Sequence, residues 1–418
     1  MAPPVTNPVR PQEAKHKYIR WAFYVIVVFI SISLEHSDEI FGPNECGQTS
    51  LTARFWYQRL SVVGYRKPRA HSVRLVILSS DKDPIFDKCE GREFMAALLT
   101  RLVALGPSVV VIDKWYPPQY CTGEPSRELR NAVIELSKVV PVVIGEDSDT
   151  EEELRNNNDP DLPKLKAAGL TDRDQILTEN LFQADGKSVR YGLARSNCDN
   201  RRIPLLWPVF SSRSDVSVAK RKYEPSLPLA AAEAADPDVE EIVGTLPKKL
   251  NHPFTSFLAE ASFKPIHGVQ ILCDRFLTSQ EDWRSCGSHS TSALGLRGKI
   301  VLIGERSVDD QYQSVLGTIP GVVLQANYLE SLLDDRYFRP INQVLEILLM
   351  VACFLIIEIL FDHSSLLIAL LRSVGFVIFL WLVSSVVILQ WGYFLSFWFP
   401  TSLAVGANCA EHLRDWFT

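Results

Sequence analysis

The apolar runs near the two ends of this 418-residue chain constrain its architecture more than any other feature. Close to the C-terminus lie three such runs, Val344–Phe361, Leu366–Leu389 and Gly392–Ala410. Each is long enough for a helix that crosses the hydrocarbon core of a bilayer with its backbone hydrogen bonds satisfied internally. Only Asp362–Ser365 and Gln390-Trp391 separate them. The sequence therefore predicts three C-terminal transmembrane helices joined by tight hairpins.

A fourth apolar run, Tyr18–Leu34, carries a single charge at Arg20 and follows the polar, proline-rich residues 1–17. A cleaved signal peptide is the competing interpretation, because the preceding residues are basic and Ser31-Ile32-Ser33 resembles a small-x-small cleavage site. The run is longer and bulkier than a usual signal-peptide core, which favours a transmembrane anchor.

Charge near the first run predicts the orientation of the chain. Four basic residues lie at or before its start: Arg10, Lys15, Lys17 and Arg20. No Lys or Arg follows until Arg54, so the positive-inside rule places residues 1–17 in the cytoplasm and residues 35–343 outside. With four spans, residues 411–418 return to the cytoplasm. A net charge of −6 and the lack of a basic stripe with interleaved aromatics give no indication of a nucleic-acid partner.

Cysteine usage agrees with that orientation. Of the eight cysteines, Cys353 and Cys409 lie in the C-terminal apolar runs. The other six lie in the outside region: Cys46, Cys89, Cys121, Cys198, Cys273 and Cys286. An oxidising compartment allows such cysteines to pair, although sequence alone leaves the connectivity open.

Two disulfides can be argued from position. Cys89 and Cys121 each follow a predicted strand of one βαβ unit, which places them on the same edge of a parallel sheet. Cys273 and Cys286 are close in sequence and flank a polar loop. Cys46 and Cys198 then remain as a third pair. The alternative that several of the six are free buried thiols stays open.

The outside region shows the pattern of an α/β domain. The apolar segments Val73–Leu78, Phe94–Leu105 and Ser108–Ile112 read as strand, helix and strand, with Gly106 where a helix C-cap belongs. This spacing predicts a right-handed βαβ unit with parallel strands. Further candidates are the helices Glu128–Lys138, Ser226–Ala235 and one starting near Pro320, and the strands Val139–Ile144 and Ile300–Ile303. Gly186–Ala194 and Ile203–Phe210 resemble two strands around a turn. We therefore predict a mixed or parallel sheet with flanking helices.

Several patterns argue against catalysis or metal binding. The region lacks a phosphate-binding glycine loop, a dinucleotide-binding glycine pattern and a nucleophile elbow. The polar loop Gly287–Ser290 contains adjacent Ser and His, which cannot supply an oriented triad. The acidic stretch Glu146–Leu162 lacks the glycine and distal glutamate of a calcium loop and is predicted to be an exposed, solvated insertion. We expect no enzyme activity, no cofactor and no metal.

Three aspartates form the candidate ligand site. Asp113 ends a predicted parallel strand, and Asp309 and Asp310 follow the strand Ile300–Ile303. Open α/β sheets bind ligands at the carboxyl ends of their strands, so these carboxylates are predicted to line one pocket. The alternative is that each aspartate forms a turn or caps a helix.

The predicted membrane helices contain two unusual charges, Glu358 and Arg372. They lie on either side of the first hairpin, so a long arginine side chain can reach the glutamate, and pairing would lower the cost of both charges in lipid. The alternative is that each side chain extends separately to the interface.

Four sequence segments carry a resemblance to a known family: VRLVILSSDKDP, FMAALLTRLVALGPSVVVIDKWY, LRGKIVLIG and TIPGVVLQANYLESLL. In this order, with one predicted span before them and three after, they resemble the second type of CHASE domain. These domains are extracellular sensory modules associated with bacterial cyclases and histidine kinases. The acidic pair Asp81 and Asp83 fits the pattern, whereas the six cysteines look like an elaboration.

The resemblance implies a multi-pass protein of the bacterial inner membrane with a periplasmic ligand sensor. Only Glu411–Thr418 follow the last predicted span, which leaves no room for an output domain. We therefore expect the sensor to communicate through its C-terminal membrane bundle with a separate membrane or cytoplasmic signalling partner, with homo-oligomerisation also compatible. The alternative is a structural or assembly subunit of an envelope complex, with the domain as docking surface.

Overall fold

The computed structural model describes residues 72–79, 89–118, 121–160, 162–167, 170, 175–178, 181–182, 189–195, 203–210, 221–239, 255, 257–273, 283–286, 294–307, 310–314, 317–334, 339–341, 343–361, 366–391 and 393–394. The chain divides into two compact units. One is Leu60–Tyr337, and the other combines Met1–Arg59 with Phe338–Thr418.

The strands are β1 Val73–Ser79, β2 Val109–Asp113, β3 Val142–Glu146, β4 Ser148–Asp149, β5 Gln175–Leu177, β6 Val189–Leu193, β7 Leu206–Phe210, β8 Arg221–Pro225, β9 Ile266–His267, β10 Ile300–Arg306, β11 Gln311–Ser314, β12 Gly317–Pro320, β13 Arg339–Pro340 and β14 Tyr393–Phe394. The helices are α1 Cys89–Leu105, α2 Glu124–Ser137, α3 Glu151–Asn156, α4 Leu162–Ala167, α5 Leu227–Ala235, α6 Gly268–Cys273, α7 Gly321–Leu333, α8 Gln343–Phe361 and α9 Leu366–Trp391.

The unit Leu60–Tyr337 is built on a six-stranded sheet in the order β6-β3-β2-β10-β1-β9, and every pair in it is parallel. The central strands are predominantly apolar because both of their faces are buried, as is usual in parallel sheets. The α/β core predicted from the sequence is therefore present. Strands β1 and β2 are parallel as predicted, but β10 lies between them, so they are not neighbours.

Helices cover both faces of this sheet. On one face α1 and α2 pack together over a core that includes Val76, Val110 and Ile303. On the other face α5 packs beside α7, and α7 contacts β10 and β1. The chain that leaves β2 thus enters a helix on one face, whereas the chain that leaves β10 enters a helix on the opposite face.

A second sheet has the strand order β4-β5-β7-β8. The prediction that Gly186–Ala194 and Ile203–Phe210 form strands around one turn is wrong in its pairing, because β6 joins the large sheet and β7 joins the small one. The sequence interval between them is short enough for a hairpin, so local spacing did not reveal that the chain changes sheet here.

The acidic stretch Glu146–Leu162 is not simply a solvated insertion. It contains β4 and α3, and Thr150 caps α3 in a capping box with Glu153. Leu154 and Glu151 are buried, and Glu151 forms ion pairs with Arg155 and Lys166. Acidic residues in the first turn of a helix are stabilised by the helix dipole, which explains why this stretch folds despite its charge.

Element boundaries also differ from those predicted. Helix α1 begins at Cys89 and α2 at Glu124, several residues before their apolar periods start, and β10 continues to Arg306. Gly106 adopts φ +61° after α1, as expected of a C-cap glycine. The predicted separator Gln390-Trp391 is wrong, because α9 extends through both residues.

In the other unit α8 contacts α9, and β13 pairs with β14. The buried residues of these helices include Cys353, Phe354 and Leu380, whereas many of their large apolar side chains are exposed. Among the described residues, no helix meets the joint criterion of length and apolarity for a membrane span. The predicted run Tyr18–Leu34 and all of 395–410 lie outside the described residues.

Candidate functional site

The carboxyl ends of β2 and β10 lie side by side at one edge of the large sheet. In the parallel register of these strands, Asp113 lies directly opposite Gly304. A side chain at position 304 would collide with Val322 in the first turn of α7, so the glycine allows that helix to approach the strand closely. Because the helices after β2 and β10 lie on opposite faces, this is a point where open α/β sheets form a ligand crevice.

Charged side chains line this crevice. Lys114 follows Asp113, and its Nζ lies 2.7 Å from Oε2 of Glu305 on β10. Their side chains are only 19% and 25% exposed, so this ion pair is partly shielded from water. Strand alternation places Asp113 on the face that α7 covers, with the Lys114–Glu305 pair next to it. The edge therefore combines anionic and cationic groups in a partly buried setting.

The Asp113 carboxyl is the most perturbed acid of this group. Burial raises its pKa to about 7, the carboxylate of Asp310 raises it as well, and the ammonium of Lys114 acts in the opposite direction. At neutral pH this group is therefore divided between an acceptor-only carboxylate and a carboxylic acid that can donate a hydrogen bond.

Asp310 lies against the start of α7. Its backbone oxygen accepts a hydrogen bond of 3.0 Å from the Gly321 N–H, and a side chain at position 321 would collide with its carboxylate. Burial raises the pKa of Asp310, the charge of Glu305 adds to this, and a hydrogen bond with Tyr312 and the charge of Lys114 lower it. The carboxylate of Asp310 therefore lies close enough to Asp113 to act on its pKa, whereas Asp309 lies outside the described residues. That these aspartates line one pocket stays a prediction.

This arrangement suits a ligand that carries a positive charge or hydrogen-bond donors. The carboxyls of Asp113 and Asp310 lie at this edge, and the Lys114–Glu305 ion pair lies beside them. Among the described residues, no group of three or more His, Cys, Asp or Glu side chains could hold a metal ion. Asp81 and Asp83, part of the family resemblance, lie outside the described residues.

The buried polar side chains of α7 were not predicted from the sequence. Glu330 is 1% exposed, and its two carboxylate oxygens accept hydrogen bonds from the backbone N–H groups of Ser72 at 3.1 Å and Val73 at 2.8 Å. A side chain near the end of the last helix of this unit therefore holds the start of its first strand, across a sequence separation of more than 250 residues.

Other residues of the same helix hold other segments. The Asn327 side chain accepts from the Leu258 N–H and donates to the Leu258 and Val323 oxygens, the latter at 2.8 Å. Ser331 hydrogen-bonds with Thr255 at 2.7 Å, and Gln325 donates to the Ala194 oxygen at 3.0 Å. The available signal was the presence of four polar residues in a helix with no exposed face, since buried polar groups require partners.

Both disulfides argued from position are present. Cys89 and Cys121 are joined with Cα atoms 5.4 Å apart, and Cys273 and Cys286 with Cα atoms 5.0 Å apart. The proposed third pair, Cys46 and Cys198, lies outside the described residues, so the alternative of free thiols stays open for these two.

The first disulfide lies beside a buried guanidinium that was also missed. Arg92 is 2% exposed and donates to the Pro117 oxygen at 2.6 Å, to the Ser126 hydroxyl at 2.7 Å and to the Cys121 oxygen at 3.0 Å. Burial lowers the pKa of Arg92. These bonds give hydrogen-bond partners to backbone oxygens of the loop between β2 and α2, so Arg92 has a structural role.

The predicted pair of Glu358 and Arg372 is not tested by the structure. Glu358 lies on α8 and Arg372 is exposed on α9, but the Glu358 side chain lies outside the described part. Their association stays a prediction.

Comparison with known proteins adds a family. The chain matches the CHASE2 domain over residues 49–360, which is more than half of its 418 residues. The chain belongs to the CHASE2 domain family. No curated protein and no solved structure matches it. CHASE2 domains are sensory extracellular domains, so the resemblance drawn from the sequence segments is confirmed and the α/β unit has a sensory role.

Proposed function

We propose that this CHASE2 protein is a membrane-anchored, extracytoplasmic sensor that binds a small ligand at the carboxyl edge of its large sheet. The ligand carries a positive charge or hydrogen-bond donors. Its binding is communicated through the C-terminal helices to a separate partner protein. The domain lies in the periplasm of a bacterial cell, and the apolar runs hold it in the inner membrane.

The observation that carries this proposal is the charged crevice between β2 and β10. Asp113 and Asp310 are partly buried carboxyls with raised pKa values, and they lie where the neighbouring strands β2 and β10 are followed by helices on opposite faces of the sheet. Perturbed acids in a crevice are more frequent at functional sites than elsewhere. A ligand cation would replace the repulsion between the two carboxylates with attraction.

Helix α7 is the proposed route from the crevice toward the membrane. Its first residue, Gly321, contacts Asp310, and Glu330 in its last turns holds the start of β1. The chain leaves α7 and enters α8 within about ten residues. A displacement of Asp310 on binding would therefore act on the helix that directly precedes the apolar runs.

Membrane anchoring is supported by the apolar sequence of the runs and by the surface of α8 and α9. Large apolar side chains of both helices are exposed, among them Leu348, Ile359, Leu371 and Phe379 at 58–73%. An exposed apolar surface of this kind requires lipid or a protein partner to cover it.

The proposal is tested by a thermal-shift screen of metabolites on the full-length protein in a neutral detergent. A compound that binds the native state raises the unfolding temperature, because binding stabilises the folded form. We expect the screen to be enriched in amines and other cations. The shift should disappear in Asp113→Asn and Asp310→Asn, and it should persist in Glu124→Gln, which changes an exposed carboxylate on α2.

A compound that stabilises wild type, Asp113→Asn and Asp310→Asn equally would contradict binding at the carboxyl edge. If no compound stabilises the protein and a membrane protein co-purifies with it in stoichiometric amount, the structural-subunit alternative replaces the sensor. These two outcomes separate an error about the site from an error about the function.

A further inference from the structure

A groove on the helical face of the domain lies apart from the carboxyl edge. It has a volume of about 560 Å³ and runs between α1 and α2, and the short 3-10 helix Trp283–Ser285 closes one end. This volume lies within the range of small-molecule sites. The groove exists because the facing positions of the two helices carry small side chains, Ala96, Ala97 and Ala132.

The wall of the groove is an aromatic side chain in a fixed position. The Trp283 ring lies edge-on to the buried Phe94 ring, with centroids 5.4 Å apart and planes at 90°. The Cys273–Cys286 disulfide ties down the chain around it. The indole Nε1 is buried and has no hydrogen-bond partner among the described residues. A rigid indole beside an alanine floor gives an apolar surface whose shape is already formed.

The rim of the groove is acidic. The lining residues include Glu93, Glu128 and Glu135 but only one cation, Arg284. Arg284 already shows how a cation binds here, because its guanidinium lies 4.7 Å from the Trp283 ring centroid and 2.6 Å from Glu93. Glu90 and Glu93 both pair with Arg284, and Glu135 pairs with Lys138. Together with Glu128, these carboxylates outnumber the two cations and leave the groove with a surplus of negative charge.

We propose that this groove binds a small organic cation with an apolar or aromatic body. The charged part lies against Trp283 and the glutamates, where the ring quadrupole and the carboxylates both attract a cation. The apolar part fills the space above Ala96 and Ala132. Arg284 is the internal competitor for this position. This site is independent of the one proposed at Asp113 and Asp310, since no residue is shared.

The probe for the test is benzyltrimethylammonium, with benzyl alcohol and benzoate as uncharged and anionic comparisons. Its binding to full-length protein in a neutral detergent is measured by ligand-observed NMR titration. We expect the cation to bind and the two comparison compounds to bind at least about tenfold more weakly, because the acidic rim and the indole face favour positive charge. Asp113→Asn should not change this binding.

Three substitutions give a pattern that a merely structural groove would not produce. Ala132→Leu fills the floor and should reduce affinity about tenfold or more. Glu128→Gln removes one rim charge and should reduce it about two- to fivefold, the scale of an exposed charge pair. Arg284→Ala frees the indole face and Glu93 and should increase affinity about threefold. Glu124→Gln, on α2 but outside the groove, is the control and should have no effect.

The proposal is overturned by any of three results. The first is no saturable binding of the cation by wild type and by Arg284→Ala. The second is equal or stronger binding of benzoate. The third is a change in molar mass, measured by light scattering, from an oligomer in wild type to a monomer in Ala132→Leu. This would show that another copy of the chain fills the groove.

Discussion

Asp113 is a half-buried carboxyl and Glu330 a fully buried one, and their surroundings give them different roles. Glu330 receives two backbone N–H groups, which is a strong arrangement for a charged acceptor. Asp113 lies near another carboxylate, Asp310, and burial raises its pKa to about 7. The first carboxyl holds the start of β1, whereas burial disfavours the charged form of the second.

The Asp113 carboxyl should make stability depend on pH. Its folded pKa lies above the ordinary value of 3.8, so the native state binds this proton more tightly than the unfolded state does. Its stabilising contribution is complete below that ordinary value and is lost as the pH rises through about 7. Asp113→Asn should therefore be more stable than wild type at about pH 8 by on the order of 1–3 kcal/mol, with a much smaller difference at about pH 5.

Urea unfolding of both proteins across this pH range measures the effect. Unfolding free energies that stay parallel for wild type and Asp113→Asn would show that the carboxyl titrates normally. Glu124→Gln controls for the loss of one negative charge, and its curve should follow that of wild type.

Glu330 should be costly to remove. Glu330→Ala leaves the N–H groups of Ser72 and Val73 without their acceptors inside the fold, so we expect a loss of about 2–4 kcal/mol of unfolding free energy. Glu330→Gln keeps one acceptor oxygen and should lose about half as much. Urea unfolding at neutral pH measures both. Glu124 is an exposed glutamate. A loss of unfolding free energy in Glu330→Ala no greater than in Glu124→Ala would show that Glu330 does not hold the start of β1.

At the scale of the element, α7 connects the carboxyl edge with the beginning of the domain. The helix contains the motif that contributed to the family resemblance, and its start near Pro320 was predicted correctly. Its apolar character indicated burial. The sequence could not indicate which segments Gln325, Asn327 and Glu330 would hold, because those contacts join residues far apart in the chain.

Gly321→Ala tests the contact between α7 and the crevice. The added methyl would collide with the Asp310 carboxylate and should displace it from Asp113. The pKa of Asp113 should then fall, because one of the charges that raise it is farther away, and overpacking should cost about 1–3 kcal/mol. The dependence of unfolding free energy on pH should become shallower than in wild type. Gly375→Ala, which meets only open space, is the control. A pH dependence as steep as that of wild type would show that the Asp310 carboxylate does not raise the pKa of Asp113.

The two disulfides should differ in their contribution. The Cys89–Cys121 bond spans 32 residues and the Cys273–Cys286 bond spans 13. In the chain-entropy account, their removal costs about 4 and about 3 kcal/mol respectively, because the longer loop restricts the unfolded chain more. Urea unfolding of the two double Cys→Ser variants measures this order. A larger loss in the variant of the shorter loop would show that native contacts, rather than chain entropy, dominate.

Local patterns predicted the main elements well and their arrangement less well. The spacing of apolar residues predicts β1, α1 and β2, and the glycine at position 106 predicts the helix C-cap; both are properties of residues close together in the sequence. The insertion of β10 between β1 and β2 is not such a property, because that strand is about 190 residues later and no local signal specifies its neighbours. The sequence did place Asp113 and Asp310 at the same edge of the sheet, because Asp113 ends β2 and Asp310 follows β10. Their role as a ligand site stays a prediction.

At the scale of the whole molecule, the family and the apolar runs lead to the proposal of a sensor domain outside the cell membrane. Exposure of α2 to the outside follows from this orientation. Glu124→Cys, in a chain whose Cys46, Cys198, Cys353 and Cys409 are replaced by Ser, should react with a membrane-impermeant maleimide in intact spheroplasts. Reaction only after lysis would reverse the proposed topology. A Cys placed in residues 1–17 is the matched control and should react only after lysis.

The central claim is that a signal binds at the carboxyl edge and acts through α7. Hydrogen exchange on the full-length protein, with and without the compound that stabilises it most in the thermal screen, tests this claim most directly. We predict slower exchange at the carboxyl ends of β2 and β10 and in the first turn of α7, together with altered exchange at the amides of Ser72 and Val73, which Glu330 holds. Slower exchange confined to other parts of the domain, with the carboxyl edge and these two amides unchanged, would contradict it.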